Sequence, residues 1–247
     1  MSRTKPELKK TPIFIEFVGM PGSGKTTLSH RAAEILREKG TTVLEPTYSI
    51  NNEIRIIQRY LIKSWYSIKL AWLRPVWALD WFFLVVQSRQ KSLKDFVLMS
   101  INCFFILEIY RQHGRHNYIY FLDQGICQAL LSLSYNSKTE NFIEKKLGTV
   151  SCFLSPLGFR IIYIETDVDT IIQRLKKRHK KQSRLELIAN TTEFVEIIRG
   201  EKRKIEDLLK MLFTELQADI VTIQKNGSED IHSAAQQIAD LFSDSQC

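Results

Sequence analysis

The chain has 247 residues, a formal net charge of +8 and a sequence pI near 9.3. This length is sufficient to bury a full hydrophobic core, and it favours one α/β domain with a lid or a helical insertion over two domains. The basic excess suits an anionic small molecule, a nucleic acid or an acidic membrane surface, and charge alone does not choose between them.

The four cysteines form no Cys-x-x-Cys pair and have no neighbouring histidine spacing, so neither a zinc site nor a disulfide framework is indicated. They are Cys103, Cys127, Cys152 and Cys247. We expect reduced thiols in a cytoplasmic protein. Residues 1–11 are basic and polar and are predicted to form a flexible tail ahead of a domain at 12–247. The apolar run that follows has only about six residues, which is too short for a signal peptide.

A phosphate-binding loop occupies residues 19–26, which read Gly-Met-Pro-Gly-Ser-Gly-Lys-Thr and match G-x-x-x-x-G-K-T. An apolar, β-rich segment precedes it at 13–18, and a helical pattern follows at 27–38. The glycines let backbone N–H groups surround a phosphate, and the helix start adds its positive dipole end. A chance glycine-rich turn is the alternative, and both correct flanks argue against it.

We therefore predict binding of ATP and Mg²⁺ at this loop. Lys25 should reach the β- and γ-phosphates, and the Thr26 hydroxyl should bind the metal. The predicted nucleotide-binding residues are Gly19, Pro21, Gly22, Ser23, Gly24, Lys25, Thr26 and Thr27.

A second short strand is predicted at 41–44. Pro46 cannot continue a ladder, so 45–47 are predicted to leave the strand as a loop. Glu45 would then lie at the carboxyl end of a strand, where ligands bind in such sheets. A solvated loop glutamate is the alternative.

Residues 51–114 interrupt the β-α alternation with predicted helices at 53–64, 65–73, 75–94 and 96–113. We expect this insertion to shape the site of a phosphate acceptor. It carries all four tryptophans of the chain: Trp65, Trp72, Trp77 and Trp81.

Arg74, Pro75 and Asp80 argue against a transmembrane span, because each central charge costs about 2.5–3.5 kcal/mol. We predict buried helices instead, and expect no membrane contact. A stacking wall for an aromatic acceptor, and a surface that contacts a membrane or a partner, are the alternatives.

A strand predicted at 118–122 ends in Asp123, which is placed to support Mg²⁺ or orient an acceptor. A strand at 160–165 and a helix at 168–177 follow. In the basic run at 174–184, Arg174 and Arg178 are four apart on one helix face and could close on a triphosphate. A solvated basic face is the alternative. Nucleic acid is not expected, since no aromatic residue interrupts the run.

A helix at 192–216, a strand at 219–223 and a helix at 229–242 complete the pattern.

The chain resembles thymidylate kinases and the wider nucleoside monophosphate kinases over 13–242. Besides the phosphate loop, five short segments look like family motifs: Glu45-Pro46 (R-E-P), Glu53-Ile54-Arg55 (E-x-I-R), Gln87-Ser88-Arg89 (A-D-R), Asp123-Gln124 (D-R) and Ser183-Arg184-Leu185-Glu186 (D-R-I-E).

The resemblance implies a three-layer α/β P-loop kinase fold: a central parallel sheet of about five strands with helices on both faces, a helical acceptor insertion at 51–114 and a basic lid at 174–186. It also implies roles for particular residues. Acceptor-binding residues would be Glu45, Arg55, Arg89 and Gln124. Catalytic residues would be Lys25, Asp123, Arg174, Arg178 and Arg184.

The positions that depart from the family patterns are mostly those that would contact the acceptor. Leu44 and Gln124 replace arginines, Tyr48 and Ser49 replace glycines, and Pro21 replaces an acidic residue. Each lost charge-assisted hydrogen bond is worth roughly 1.5–3 kcal/mol, which weakens an acceptor-phosphate site.

We therefore predict a kinase for a small acceptor, most simply a nucleoside monophosphate, with thymidylate a poor substrate. A nucleoside or other small molecule as acceptor, and a degenerate nucleotide-binding interaction module, remain alternatives. A GTP switch or transport ATPase is not favoured, because neither N-K-x-D nor L-S-G-G-Q occurs. A homodimer is compatible with these features.

Overall fold

The computed structural model describes residues 13–90, 92–113, 118–135, 148, 150, 153, 158–177, 193–224 and 231–243. Five parallel strands form one sheet in the order β2-β3-β1-β4-β5. They are β1 (Ile13–Val18), β2 (Val43–Leu44), β3 (Ile119–Leu122), β4 (Gly158–Glu165) and β5 (Asp219–Gln224).

The central strand β1 pairs with β3 on one side and β4 on the other, with Ile13 opposite Ile119 and Gly158. Residues 14–18 are completely buried. Parallel strands that are covered on both faces usually consist of consecutive apolar residues, and β1 is apolar at every position except Glu16. The order places the ends of β1 and β3 side by side, which brings Gly19 and Asp123 to the same sheet edge.

Helices cover both faces of the sheet. They are α1 (Lys25–Glu38), α2 (Pro46–Tyr48), α3 (Ile56–Leu73), α4 (Pro75–Gln87), α5 (Leu93–His113), α6 (Ile126–Tyr135), α7 (Val168–Lys177), α8 (Phe194–Leu216) and α9 (Ile231–Ser243). Leu28 of α1 and Ile238 of α9 share a buried cluster with Phe17. Phe105 of α5, Leu130 of α6 and Leu208 of α8 form the opposite cluster. The predicted three-layer α/β fold is thus confirmed.

Several predicted boundaries were wrong. Residues 45–47 are not a loop: Pro46 begins α2, and a π-helical turn at Ser49–Glu53 follows. Proline suits a first helical position, because its missing N–H would have no helical partner there. The helices predicted at 53–64 and 65–73 are one helix, α3. Helix α4 ends at Gln87 rather than 94. Helix α6 was not predicted.

The predicted burial of the tryptophans is confirmed only for Trp81, which is 2% exposed. Trp65 is 63% exposed, Trp72 is 85% exposed and Trp77 is 37% exposed. None of the helices that the structure describes is long and apolar enough to cross a membrane.

Candidate phosphate-transfer site

The phosphate loop joins β1 to α1 through two backbone features that require glycine. Gly24 adopts φ 92° and ψ 19° immediately before α1, a left-handed conformation that side chains rarely tolerate. A Cβ on Gly19 would lie 2.8 Å from the carbonyl oxygen of Ile164 and 3.0 Å from Ser23 Oγ. Glycine is therefore required at Gly19 for the close approach to β4 and at Gly24 for the turn into α1.

The start of α1 is arranged for an anion. No side chain caps this helix end, and its first turn contains no acidic residue. The first N–H groups of a helix lack intrahelical acceptors and carry the positive end of the helix dipole. Ser23 Oγ is also buried and has no hydrogen-bond partner among the residues the structure describes. These donors suit a phosphate group.

Lys25 is anchored at the mouth of the loop. Its Nζ donates to the carbonyl oxygen of Gly19 at 2.7 Å and to that of Met20 at 3.0 Å. The ammonium group therefore lies beside the concave backbone rather than in bulk solvent. That Lys25 reaches the β- and γ-phosphates stays a prediction.

Asp123 connects the phosphate loop to α2. Thr26 Oγ1 donates to one carboxylate oxygen of Asp123 at 3.0 Å, and Thr47 Oγ1 donates to the other at 2.8 Å. Asp123 is 3% exposed. The structure thus brings together the two residues predicted to support Mg²⁺, and adds Thr47, which the sequence argument missed.

Arg174 reaches the phosphate loop from α7. Its Nη1 lies 3.3 Å from the carbonyl oxygen of Gly22 and 3.4 Å from that of Ser23. These contacts place the guanidinium beside the phosphate loop. Arg178 and Arg184, and most of the predicted lid, lie outside the described residues.

Glu45 faces α1. Arg37 Nη2 donates to Glu45 Oε2 at 2.8 Å, and His30 Nδ1 lies 3.1 Å from the same oxygen. Burial raises the pKa of Glu45 from its ordinary value, and the hydrogen bond from Arg37 opposes that rise. The carboxylate therefore fixes the segment between β2 and α2 to α1. The Tyr48 ring stacks on His30 in the same place, with centroids 4.1 Å apart.

The other predicted acceptor residues lie around the first helices of the insertion. Arg55 immediately precedes α3, Arg89 follows α4, and both side chains are exposed. Gln124 is exposed, and its Oε1 accepts from Asn51 Nδ2 at 3.3 Å. Gln124 thus contacts the π-helical turn that begins the insertion.

Two basic residues of α3, Arg59 and Lys63, were not among the predicted site residues. Lys63 is buried, and its Nζ donates to Asn102 Oδ1 at 3.1 Å. Burial, followed by the charge of Arg59, lowers the pKa of Lys63 to about 8, while the charge of Asp123 acts in the opposite direction. The i, i+4 spacing of Arg59 and Lys63 was visible in the sequence as one helix face.

A cavity of 580 Å³ adjoins the start of α1. Its lining residues come from α1, α2, the π-helical turn and α9, namely Thr26, Thr27, His30, Arg31, Glu34, Tyr48, Asn52, Ile231 and His232. This volume lies in the range of small-molecule sites.

No protein-family model matches the sequence, and a search of curated proteins finds no significant match. Solved structures do match. Thymidylate kinase from Candida albicans is 14% identical with a TM-score of 0.51, over 96% of this chain and 93% of that chain. Deoxyadenosine kinase from M. mycoides with bound dCTP is 12% identical, with a TM-score of 0.48, over 93% of this chain and 100% of that chain. Shikimate kinase from Acinetobacter baumannii in complex with shikimate is 18% identical, with a TM-score of 0.46, over 94% of each chain.

The sheet order, the phosphate loop and the similarity to the C. albicans protein define the class: this chain has the P-loop kinase fold. The resemblance to nucleotide kinases that the sequence indicated is confirmed at the level of the fold. At this identity, the choice of acceptor rests on the residues of the site.

Proposed function

We propose that the protein is an ATP-dependent kinase that transfers the γ-phosphoryl group to a small acceptor, most simply a nucleoside monophosphate. One observation carries the proposal. Thr26 of the phosphate loop is hydrogen-bonded to the buried Asp123, while Arg174 lies over the same loop. Phosphoryl transfer requires mainly position and charge neutralisation, and these residues supply both.

The residues fit a magnesium ion. Mg²⁺ prefers oxygen ligands, and it is usually bound through one or two protein groups together with substrate phosphates and waters. Thr26 Oγ1 and the Asp123 carboxylate provide such oxygens 3.0 Å apart. When bound, the ion would neutralise charge on the β- and γ-phosphates.

The chain's own residues account for the remaining steps. Backbone N–H groups of residues 22–26 hold the phosphates, and Lys25 exchanges its carbonyl partners for phosphate oxygens. Arg174 neutralises charge on the transferring group, with Arg178 and Arg184 proposed as further lid cations. No general base is needed, because a largely dissociative transition state places little demand on the nucleophile.

The acceptor is proposed to lie between the phosphate loop and the first helices of the insertion. Arg55, Arg89, Arg59 and Lys63 are cations in this part of the chain that can bind an anionic group. Tyr48 offers a ring beside the cavity. Glu45 is proposed to act through position, since its carboxylate holds the segment that carries Thr47 and Tyr48.

Thymidylate should be a poor acceptor, because Leu44 and Gln124 cannot supply the cationic contacts of the resembled family. The test is ATP, Mg²⁺ and a panel of nucleoside monophosphates, nucleosides and non-nucleotide alcohols, with the parent protein and Arg89→Ala. We expect a monophosphate to be preferred and Arg89→Ala to raise its KM.

If an uncharged acceptor is preferred and Arg89→Ala leaves its KM unchanged, the result would instead favour a kinase for another small molecule. ATP binding without transfer to any acceptor in the panel would favour a degenerate nucleotide-binding module.

A further inference from the structure

Large exposed apolar side chains are concentrated in one part of the molecule. Among the described residues there are 19 such side chains, and 16 of them lie between Ile56 and Val97. Scattered exposed apolar residues are ordinary, but a contiguous set marks an interaction surface. The insertion therefore has a second property besides its proposed part in acceptor binding.

Helix α3 has its apolar face turned outward. Its buried residues are Lys63, Ser67 and Leu70, of which two are polar. Its exposed face carries large apolar residues at helical spacing, namely Ile57, Leu61, Trp65, Ile68 and Trp72. A water-exposed helix normally shows the reverse arrangement, with its apolar stripe toward the core.

Helix α4 begins after the single connecting residue Arg74 and also exposes apolar side chains. Its exposed apolar residues are Val76, Trp77, Leu79, Phe82, Phe83 and Val86. The Arg74 guanidinium lies 5.5 Å from the centre of the Trp77 ring. Tryptophan and arginine together at the edge of an apolar face are typical of helices that lie at a lipid interface.

The same segment is basic. Residues 54–94 contain eight Lys and Arg residues and one acidic residue, Asp80, which gives this segment a net charge of +7. Arg55 precedes α3, Arg74 joins the two helices, and Arg89 follows α4. Exposed cations therefore stand at the ends of the helices that carry the exposed apolar residues.

We propose that the exposed surface of α3 and α4 docks on an anionic lipid bilayer, with the helices lying in the interface rather than crossing it. The apolar side chains would enter the boundary of the acyl chains. Arg74 and Lys94, two exposed cations with no part in the proposed acceptor site, would contact anionic headgroups. This differs from the span that the sequence analysis rejected, since Arg74 and Asp80 need not enter the hydrocarbon core.

A second copy of the chain is a poorer occupant of this surface. In a two-fold dimer the same patch faces itself, so two segments of +7 would be brought together. Like charges placed together across an interface are unfavourable, whereas an anionic bilayer complements them. The docking proposal does not depend on the kinase proposal.

The test uses the full chain and vesicles of phosphatidylcholine, with or without 30% phosphatidylglycerol. Flotation measures binding, and intrinsic tryptophan fluorescence reports burial, because all four tryptophans lie at 65–81. We expect binding and a blue shift with the anionic vesicles, little binding to neutral ones, and weaker binding at high salt.

Two variants separate the apolar and charged contributions. Trp65→Ser combined with Trp72→Ser should weaken binding by at least roughly tenfold, through lost apolar burial. Arg74→Gln combined with Lys94→Gln should weaken binding to anionic vesicles roughly 30-fold and leave neutral vesicles unaffected. Phe213→Ser is the matched control, since Phe213 is an exposed aromatic residue of α8. Circular dichroism and thermal unfolding check that each variant is folded.

Equal binding to neutral and anionic vesicles, or equal loss in the Phe213→Ser control, would overturn the proposal. So would a dimer in light scattering whose tryptophan spectrum is already blue-shifted and does not respond to vesicles. That result would assign the surface to a second copy. A monomer that binds neither vesicle would also overturn it.

Discussion

The carboxylate of Glu16 accepts a hydrogen bond from the backbone N–H of Cys127 at 3.0 Å, across 111 positions of the chain. A second bond comes from the N–H of Gln128 at 2.9 Å. Glu16 is completely buried, and its side chain satisfies the first turn of α6 from the central strand of the sheet. This contact fixes α6 to β1, three residues before the phosphate loop begins.

Stability should depend on pH through Glu16. Burial raises the pKa of Glu16 from 4.5 to about 7, despite the opposing N–H hydrogen bonds. The folded state therefore retains this proton where the unfolded chain has lost it, so stability present at acid pH is lost between about pH 4.5 and 7. Between pH 5 and pH 8, we expect the free energy of unfolding to fall by about 2–3 kcal/mol more in the parent protein than in Glu16→Gln.

Urea denaturation of the parent and Glu16→Gln at both pH values measures the effect. Glutamine mimics the shape of the protonated acid, and changes at other groups cancel in the comparison. Parallel pH profiles for the two proteins would show that Glu16 titrates normally in the folded state.

Gly125→Ala should destabilise the fold by about 1–3 kcal/mol, because a Cβ at this position would overlap the Glu16 carboxyl group. The clash involves a buried, doubly hydrogen-bonded side chain that has little freedom to move. Gly200→Ala in α8 is the control, since a Cβ there meets nothing within 4 Å. Equal denaturation midpoints for the two variants would count against the packing argument.

Lys25→Ala should lower kcat by two to three orders of magnitude or more, equivalent to about 2.7–4 kcal/mol of lost transition-state stabilisation. Its partners in the loop are backbone carbonyls, so the fold should survive the substitution. Steady-state kinetics with ATP and the preferred acceptor measure the effect, and thermal unfolding provides the control. Undiminished turnover of Lys25→Ala would show that the phosphate loop is not the site of phosphoryl transfer.

Asp123→Asn should lower turnover and raise the Mg²⁺ concentration required for half-maximal rate. The amide preserves the shape but loses the charge and one of the two acceptors used by Thr26 and Thr47. Asp169→Asn, at an exposed position of α7, is the matched control for replacing a carboxylate by an amide. Superimposable Mg²⁺ titrations of Asp123→Asn and the parent would leave Asp123 with a structural role alone.

Arg174→Ala should reduce kcat more than it weakens ATP binding, because the guanidinium is expected to act on the assembled complex. Lys176→Ala, an exposed cation on the same helix, should leave both quantities nearly unchanged. Arg178→Ala carries the same expectation as Arg174→Ala. Equal losses of ATP affinity and rate would instead indicate uniform phosphate binding. Identical behaviour of Arg174→Ala and Lys176→Ala would indicate a solvated basic face.

The sequence predicted those parts of the fold whose signals are local. The motif at 19–26 and the periodicity on either side of it predict the strand before the loop and the helix after it. Helix α7 has the predicted bounds, 168–177. Helix α6 was missed because Ile126–Tyr135 is largely apolar and carries no N-terminal side-chain signal of its own. Its first turn is satisfied by Glu16, which is remote in sequence.

The site was predictable where it is built from one motif, and less so where it depends on tertiary contacts. Thr26 and Asp123 were both expected near the metal, and the structure joins them. The partners of Glu45 could not be inferred, because Arg37 and His30 reach it only after α1 packs beside β2. Likewise, the tryptophan stripe indicated an apolar helix face, but spacing does not specify which way that face points.

The paired hydrogen bonds of Asp123 have a consequence for how two substrates would bind. Thr26 belongs to the phosphate loop and Thr47 to α2, so one carboxylate is shared by the phosphate loop and the segment proposed to meet the acceptor. A movement of α2 on acceptor binding would change the environment of the nucleotide, and the reverse holds equally. Coupling between binding free energies is reciprocal, so any effect of one substrate on the affinity for the other would be matched by an equal effect in the reverse direction. Cooperativity between the two substrates would thus pass through one side chain.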